Sequence, residues 1–126
     1  MLVLAGCADG TRTVALGGVE IDVDIADEEA EWGQGLQGHE SLPPGEGLLF
    51  VFDDADIRTF AMKDVSFPID VVYIGENMQV ESVWALYPGE TRLVSSLGPV
   101  RYVLELPQGW AKEQGIVGGD ELVLDP

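Results

Sequence analysis

The residues whose types and spacing could bind a ligand are grouped around a single lysine. Lys63 is one of only six basic residues in the chain, and it follows the apolar segment Phe60-Ala61-Met62. Asp64 comes directly after it, and Asp70 follows beyond a short loop. A basic side chain among apolar strands, with acids beside it, can orient a ligand in a mainly apolar cleft. The alternative is structural, with the lysine stem laid over the sheet and its amine paired with Asp64 or Asp70.

The geometry of an extended chain gives this group a predicted arrangement. If residues 60–63 form a strand, Phe60 and Met62 point to one face while Ala61 and Lys63 point to the other. The amine then stands beside a small side chain, which leaves room for a ligand. We therefore predict a concave ligand-binding surface. Its predicted residues are Lys63, Asp64, Asp70 and, at the rim, His39.

The chain offers little for catalysis or for holding a cofactor. His39 is the only histidine, so a zinc site built from several imidazoles is excluded. Ser41 is close to it in sequence, but the motif of a nucleophilic serine on a strand-to-helix turn is missing. No glycine-rich loop ending in Lys-Ser or Lys-Thr could hold a nucleotide phosphate, and no cofactor is predicted. Asp53, Asp54 and Asp56 lack the glycine and distal glutamate of a calcium loop and are predicted to form a solvated turn.

Two functional classes remain open. The first is a non-catalytic module that binds a small molecule, a glycan or an envelope protein. The second is a small hydrolase or lyase in which Lys63, Asp70 and His39 act as acid and base. A closed cleft joining those three side chains would favour the enzyme, whereas an apolar groove would favour the binding module.

The charge of the chain restricts its partners. Its 126 residues include 23 acidic and 6 basic side chains, which gives a formal net charge of -17. Such a surface repels nucleic acid and anionic lipid, so no nucleic-acid partner is predicted. The acids are spread along the chain, which favours a whole-surface adaptation to high salt and a halophilic source. The alternative is an acidic protein from an ordinary cell, kept soluble by its charge.

This charge predicts that salt stabilises the fold. The screening length falls from about 10 Å at 0.1 M salt to about 3 Å at 1 M, so repulsion between the carboxylates weakens. We expect Tm to climb steeply between low and molar potassium chloride, as measured by circular dichroism. A Tm that does not respond to salt would contradict the whole-surface adaptation.

The single cysteine lies near the start of the chain. Leu4-Ala5-Gly6-Cys7 has the form of a lipobox, in which the cysteine is acylated and becomes the mature N-terminus. The apolar run before it is too short to span a bilayer. Residues 1–11 are therefore predicted to be a lipobox remnant and tether, and residues 12–126 a single domain. The expected location is extracytoplasmic, with contact to the membrane only through a lipid anchor at Cys7.

Short strands dominate the predicted secondary structure. Apolar residues recur at every second position on both sides of Gly17-Gly18, and acids alternate with them on the C-terminal side, which predicts a hairpin with one solvated face. Residues 69–74 are β-branched and aromatic apart from Asp70, which predicts a central strand. Residues 48–52 and 58–63 are predicted to be adjacent strands, and short helices are predicted from Asp27 and Pro107. The expected fold is mainly β or α+β, a compact barrel-like sheet of seven or eight short strands with two short helices.

Six short motifs occur in the order and at the spacing of a known family. They are Gly35-Leu36-Gln37-Gly38, Gly47-Leu48-Leu49-Phe50, Phe60-Ala61-Met62-Lys63, Pro68-Ile69-Asp70, Tyr102-Val103-Leu104-Glu105-Leu106, and Gly115-Ile116 with Gly118 and Asp120. Over about residues 12–124 the chain resembles domain-of-unknown-function family 192, also called uncharacterised protein family 0127. The resemblance implies a small strand-rich domain, often behind an export signal or lipobox. It implies no established activity.

Overall fold

A computed structural model describes residues 11–126 of the chain. Cys7 and the predicted lipobox lie outside the described residues. The elements, in chain order, are β1 (Thr11–Leu16), β2 (Val19–Ala26), α1 (Glu29–Gln34), β3 (Glu46–Asp56), β4 (Thr59–Phe60), β5 (Ile69–Ile74), β6 (Val80–Leu86), β7 (Val94–Ser95), β8 (Val100–Pro107), α2 (Trp110–Glu113) and β9 (Leu122–Val123). Neither of these helices has the length and apolar character that a membrane-spanning helix requires.

Seven of the strands form one curled sheet in the order β6-β5-β8-β3-β2-β1-β9, and β4 and β7 form a separate pair. An antiparallel bridge between Gln79 and Glu121 joins the two ends of the large sheet. The predicted barrel-like, mainly β architecture with two short helices is confirmed. The strand that was not predicted is β7, a two-residue element that is too short to leave a periodic signal.

The first hairpin forms where the alternation predicts it. Gly17 and Gly18 both have positive φ, at 57° and 81°. Two consecutive residues of this conformation make the tight loop whose twist matches that of the flanking strands, and glycine adopts it without steric cost. The side chains of Ile21 and Val23 are buried, while that of Asp22 between them faces solvent.

The central strand β5 organises the core because both of its faces are covered. All six of its residues are buried, between β6 and β8. Ile69, Val71 and Tyr73 pack into one apolar cluster, while Val72 and Ile74 pack into a second on the opposite face. Helix α1 connects the parallel strands β2 and β3, and its Trp32 packs against the first cluster. The candidate site is built on this α1 face of the sheet.

The segment around Lys63 does not form the predicted strand. Strand β4 ends at Phe60 and pairs with β7, so it is not adjacent to β3. The chain turns instead, because the amide of Val65 donates to the carbonyl oxygen of Met62 at 3.3 Å. Lys63 and Asp64 are the two central residues of this turn, and Asp64 has a φ of 57°. Met62 is buried and Lys63 is exposed, so the two do point apart as predicted, although by a turn and not by strand alternation.

The prediction of a solvated acidic turn at residues 53–56 is also wrong. Asp53, Asp54 and Asp56 belong to β3, which continues to Asp56 through an irregularity in its pairing with β8. The solvent-exposed end of a strand satisfies these acids as well as a turn does, so composition could not distinguish the two.

Candidate functional site

A cavity of about 370 Å³ lies on the α1 face of the sheet. The end of α1 and the following turn form one wall, β3 forms a second, and residues 57–65 form a third. We call it the Glu105 cavity, after the acidic side chain that β8 contributes. Its lining residues are Trp32, Gly33, Gln34, Gly35, Leu36, Gln37, Phe50, Phe52, Ile57, Arg58, Thr59, Phe60, Ala61, Lys63, Val65 and Glu105.

Four aromatic rings give the cavity a rigid apolar wall. The ring centroids of Trp32 and Phe52 lie 4.9 Å apart, and those of Phe50 and Phe60 lie 5.0 Å apart in an edge-to-face arrangement. The indole N–H of Trp32 donates to the carbonyl oxygen of Ala26 at 2.9 Å, which fixes the ring at the entrance. Mutually packed rings of this kind hold their positions whether or not a ligand is present.

Glu105 is the unusual residue of the site. Strand alternation turns it toward the α1 face together with Val103, while Leu104 and Leu106 pack into the opposite cluster. Only 4% of its surface is exposed, and its Oε1 atom has no hydrogen-bond partner among the described residues. Burial raises the pKa of the carboxyl from 4.5 to about 8, because removing water disfavours the charged form.

The two basic residues of the cavity differ in how their charge is compensated. The guanidinium of Arg58 lies 4.0 Å from the centroid of the Phe52 ring and donates to Asp54 Oδ1 at 2.9 Å. Lys63 is exposed and lines the wall. Among residues 11–126 the ion pairs of the lysine and arginine side chains are those of Arg12, Arg58 and Arg92, so the structural alternative, in which the Lys63 amine pairs with Asp64 or Asp70, is not observed.

Asp70 lies on the opposite face of the sheet. It lines a second cavity, the Asp70 cavity, with Lys112 and residues 115–117. Its Oδ2 accepts hydrogen bonds from the amides of Gly109 at 3.1 Å and Ala111 at 3.2 Å. Burial raises the pKa of Asp70, and these two hydrogen bonds partly oppose the rise. The carboxylate therefore holds the start of α2 against the sheet.

The predicted common surface is consequently not formed. Lys63 lines the Glu105 cavity and Asp70 lines the Asp70 cavity, because the turn at residues 62–65 and strand alternation direct the two side chains to different faces. Asp64 is exposed on the turn, and His39 follows α1 with its amide bonded to the carbonyl oxygen of Leu36. Neither Asp64 nor His39 lines the Glu105 cavity. Within residues 11–126, no group of three His, Cys, Asp or Glu side chains is placed to hold a metal ion.

The role of Asp70 can be tested by substitution. Asp70→Ala removes the acceptor of two buried amides, so we expect a loss of about 1–3 kcal/mol in the free energy of unfolding. Asp70→Asn keeps one acceptor oxygen, and we expect it to lose less. Hydrogen exchange at Gly109 and Ala111 would localise the effect. Equal losses in the two variants, without faster exchange there, would contradict this role.

Sequence reasoning did not single out Glu105, although a signal was present. The segment Tyr102-Val103-Leu104-Glu105-Leu106 is apolar apart from this acid. An acidic residue at an inward position of a central strand is rarely buried without a partner, so it marks a site where a ligand or a proton is held. Because this segment was interpreted only as a family motif, its single acid was not considered separately.

The comparisons with known proteins agree with the fold. The family model described as uncharacterized ACR, domain-of-unknown-function family 192, matches residues 12–124. A solved structure of a "putative transcription regulator" from Sinorhizobium meliloti is 28% identical, with a TM-score of 0.85 over 90% of this chain and 92% of that chain. A protein of unknown function from Novosphingobium aromaticivorans is 26% identical, with a TM-score of 0.83 over 89% and 84% of the two chains. No curated protein matches.

Proposed function

Since this chain belongs to domain-of-unknown-function family 192, whose description assigns no activity, we propose its function from the site: it reversibly binds a small organic molecule in the Glu105 cavity. The observation that carries this proposal is the unpartnered Oε1 of Glu105 inside the cavity. Leaving a buried polar atom without a hydrogen bond costs about 1–3 kcal/mol. Such atoms are uncommon in native structures, and a ligand that completes the hydrogen bond offsets this cost.

The rest of the cavity suits a ligand of this kind. Small-molecule sites are mostly apolar concave spaces of roughly 300–1,000 Å³ with a few polar groups that set orientation, and the Glu105 cavity has a volume of about 370 Å³. Trp32, Phe50 and Phe60 offer flat apolar surfaces for a ring or an alkyl chain. Gln34 and Lys63 supply polar contacts closer to solvent.

The cellular setting belongs to the same proposal. Acylation at Cys7 would tether the domain outside the cytoplasm, where it would capture its ligand near the membrane. A glycan or an envelope protein remains a candidate partner at the mouth of the cavity, because the ring of Trp32 is half-buried there. The net charge of -17 argues against DNA as the ligand, although the similar protein from Sinorhizobium meliloti is described as a "putative transcription regulator".

The alternative of a hydrolase or lyase has less support. The predicted acid and base, Lys63 and Asp70, line different cavities. Glu105 has the raised pKa that suits a general acid. However, among residues 11–126 it is the only carboxylate that lines the cavity, and hydrolysis of a glycoside needs a second one. Binding therefore accounts for more of the geometry.

The proposal is tested by screening a collection of small metabolites with amide NMR spectra of the protein. We expect the ligands found to shift the resonances of residues 34–37, 57–61 and 105 and to leave those of residues 108–117 unchanged. Ala61→Trp places a large ring at the mouth of the cavity and should abolish these shifts. Ala30→Trp is the matched control, because Ala30 is exposed on α1 and is not a lining residue. Shifts confined to the Asp70 cavity would contradict the proposal.

A further inference from the structure

We propose that the ligand of the Glu105 cavity is a small organic cation, whose ammonium group binds the Glu105 carboxylate and the surrounding aromatic rings. The inference rests on the proposed function and adds the chemical class of the ligand. It follows from where the charges of the site lie, from the nature of its walls and from the unpartnered oxygen.

The charged side chains of the cavity are placed to suit a cation. Glu105 is buried and is the only acid among the described residues that line the cavity. The two basic residues are nearer to solvent, and the charge of Arg58 is already compensated by Asp54. Lys63 is exposed, so water and salt screen its repulsion of a bound cation to about 1 kcal/mol or less. An anion would place its charge near this exposed lysine and carries no donor for Glu105 Oε1, so it could only accept a hydrogen bond from the protonated carboxyl, whereas an ammonium group supplies both donors and a compensating charge.

The aromatic wall of the cavity also favours a cation. The faces of aromatic rings carry negative potential, and cations within about 6 Å of a ring centroid are attracted to it. The site already shows this preference, because the guanidinium of Arg58 lies 4.0 Å from the centroid of Phe52. Trp32, Phe50 and Phe60 line the remaining space, and in the described part of the chain the cation–ring contacts involve other rings, those of Phe52 and Tyr102. An ammonium group between them and Glu105 would contact both kinds of partner.

The protonation equilibrium of Glu105 permits the binding of an ammonium group. The ionisable groups near it are Tyr73 of β5, whose pKa its charge helps to raise, and the bases Arg58 and Lys63 of the same cavity. With a pKa of about 8, most Glu105 side chains are protonated at pH 7. Binding an ammonium group releases this proton to the buffer and leaves an N–H···O⁻ hydrogen bond. The release lowers the affinity at pH 7 by only about tenfold relative to a permanently ionised carboxylate.

The test uses three probes of matched shape and different charge. Benzylamine is a cation at pH 7, benzyl alcohol is neutral and benzoate is an anion. We expect benzylamine to bind at least tenfold more tightly than benzyl alcohol, and benzoate to bind most weakly, by isothermal titration calorimetry. Titrations in buffers of different ionisation enthalpy should show release of roughly 0.9 proton per bound amine at pH 7.

Two variants and one control variant separate the contributions of the charged residues. Glu105→Gln should weaken benzylamine at least tenfold and abolish the proton release, while Glu40→Gln, which changes an exposed acid outside the cavity by the same charge, should change neither. Lys63→Gln should strengthen benzylamine by about twofold, since it removes a screened repulsion.

The outcomes distinguish the two proposals. If benzyl alcohol or benzoate binds in the cavity as tightly as benzylamine, or if the amine binds without releasing a proton, the cationic ligand is ruled out and the binding function stands. If none of the three probes shifts the NMR resonances of the cavity up to its solubility limit, the cationic ligand is ruled out, and the binding function then depends on the metabolite screen alone. Retention of full benzylamine affinity in Glu105→Gln would also overturn the inference.

Discussion

Replacement of Glu105 by Gln is expected to remove a large part of the pH dependence of stability. The folded-state pKa of about 8 lies above the unfolded value of 4.5. Between these two values the folded state therefore binds a proton that the unfolded state has lost. The stabilisation is fully present below about pH 4.5 and is lost as pH rises through about 8. The loss is about 1.4 kcal/mol per pH unit in this window, or about 5 kcal/mol in total.

The measurement is the free energy of unfolding in urea at several pH values, in molar potassium chloride so that surface repulsion is screened. The quantity of interest is the difference in slope between the wild type and Glu105→Gln, because a buried amide also changes the absolute stability. Glu40→Gln is the control and should keep the wild-type slope, since Glu40 is exposed. Parallel pH profiles of the wild type and Glu105→Gln would show that Glu105 is not held protonated by burial.

The second large effect is expected at Gly47, in the strand that pairs with β8. A methyl group there would lie 2.8 Å from the carbonyl oxygen of Glu105 and 3.0 and 3.1 Å from side-chain atoms of Leu106 and Leu104. A backbone oxygen at this distance cannot give way without moving β8. We expect Gly47→Ala to cost about 3 kcal/mol, a fall in Tm of roughly 10–20 °C.

Gly33 provides the matched control for this substitution. It lies in α1, and a methyl group added there has no atom within 4 Å. Gly33→Ala should therefore stabilise the protein by about 0.5–1 kcal/mol, through the lower entropy of the unfolded chain. Thermal unfolding followed by circular dichroism measures both variants. Similar Tm values for the two would contradict the close approach of β3 and β8.

The fold has features that the sequence could predict and others that it could not. The hairpin at Gly17-Gly18 and the buried strand at residues 69–74 follow from local patterns, namely alternation, turn residues and a run of β-branched side chains. The structure has both. The tight packing at Gly47 depends on which strand lies beside β3, and strand order is not a local property. The motif that contains Gly47 could be seen in the sequence, but its physical reason could not.

The candidate site was predicted only in part. Lys63 does line a cavity, whereas Asp70 was assigned to the same surface and lies on the other face. The position of Lys63 follows from the short β4 and the turn at residues 62–65, where a hydrogen bond between Val65 and Met62 replaces the expected extended chain. The position of Asp70 follows from side-chain alternation along β5. Glu105 was missed because its burial depends on the covering by α1 and residues 57–65. These segments are distant in sequence, so the lone acid in an apolar strand could mark position 105 as unusual but could not show what covers it.

A crystal structure of the protein soaked with small organic molecules tests the central claim most directly, since it shows where ligands bind. We expect bound molecules to lie in the Glu105 cavity, between Trp32, Phe50 and Phe60, with a polar atom within hydrogen-bond distance of Glu105 Oε1. Molecules bound repeatedly in the Asp70 cavity, with none in contact with Glu105, would contradict it.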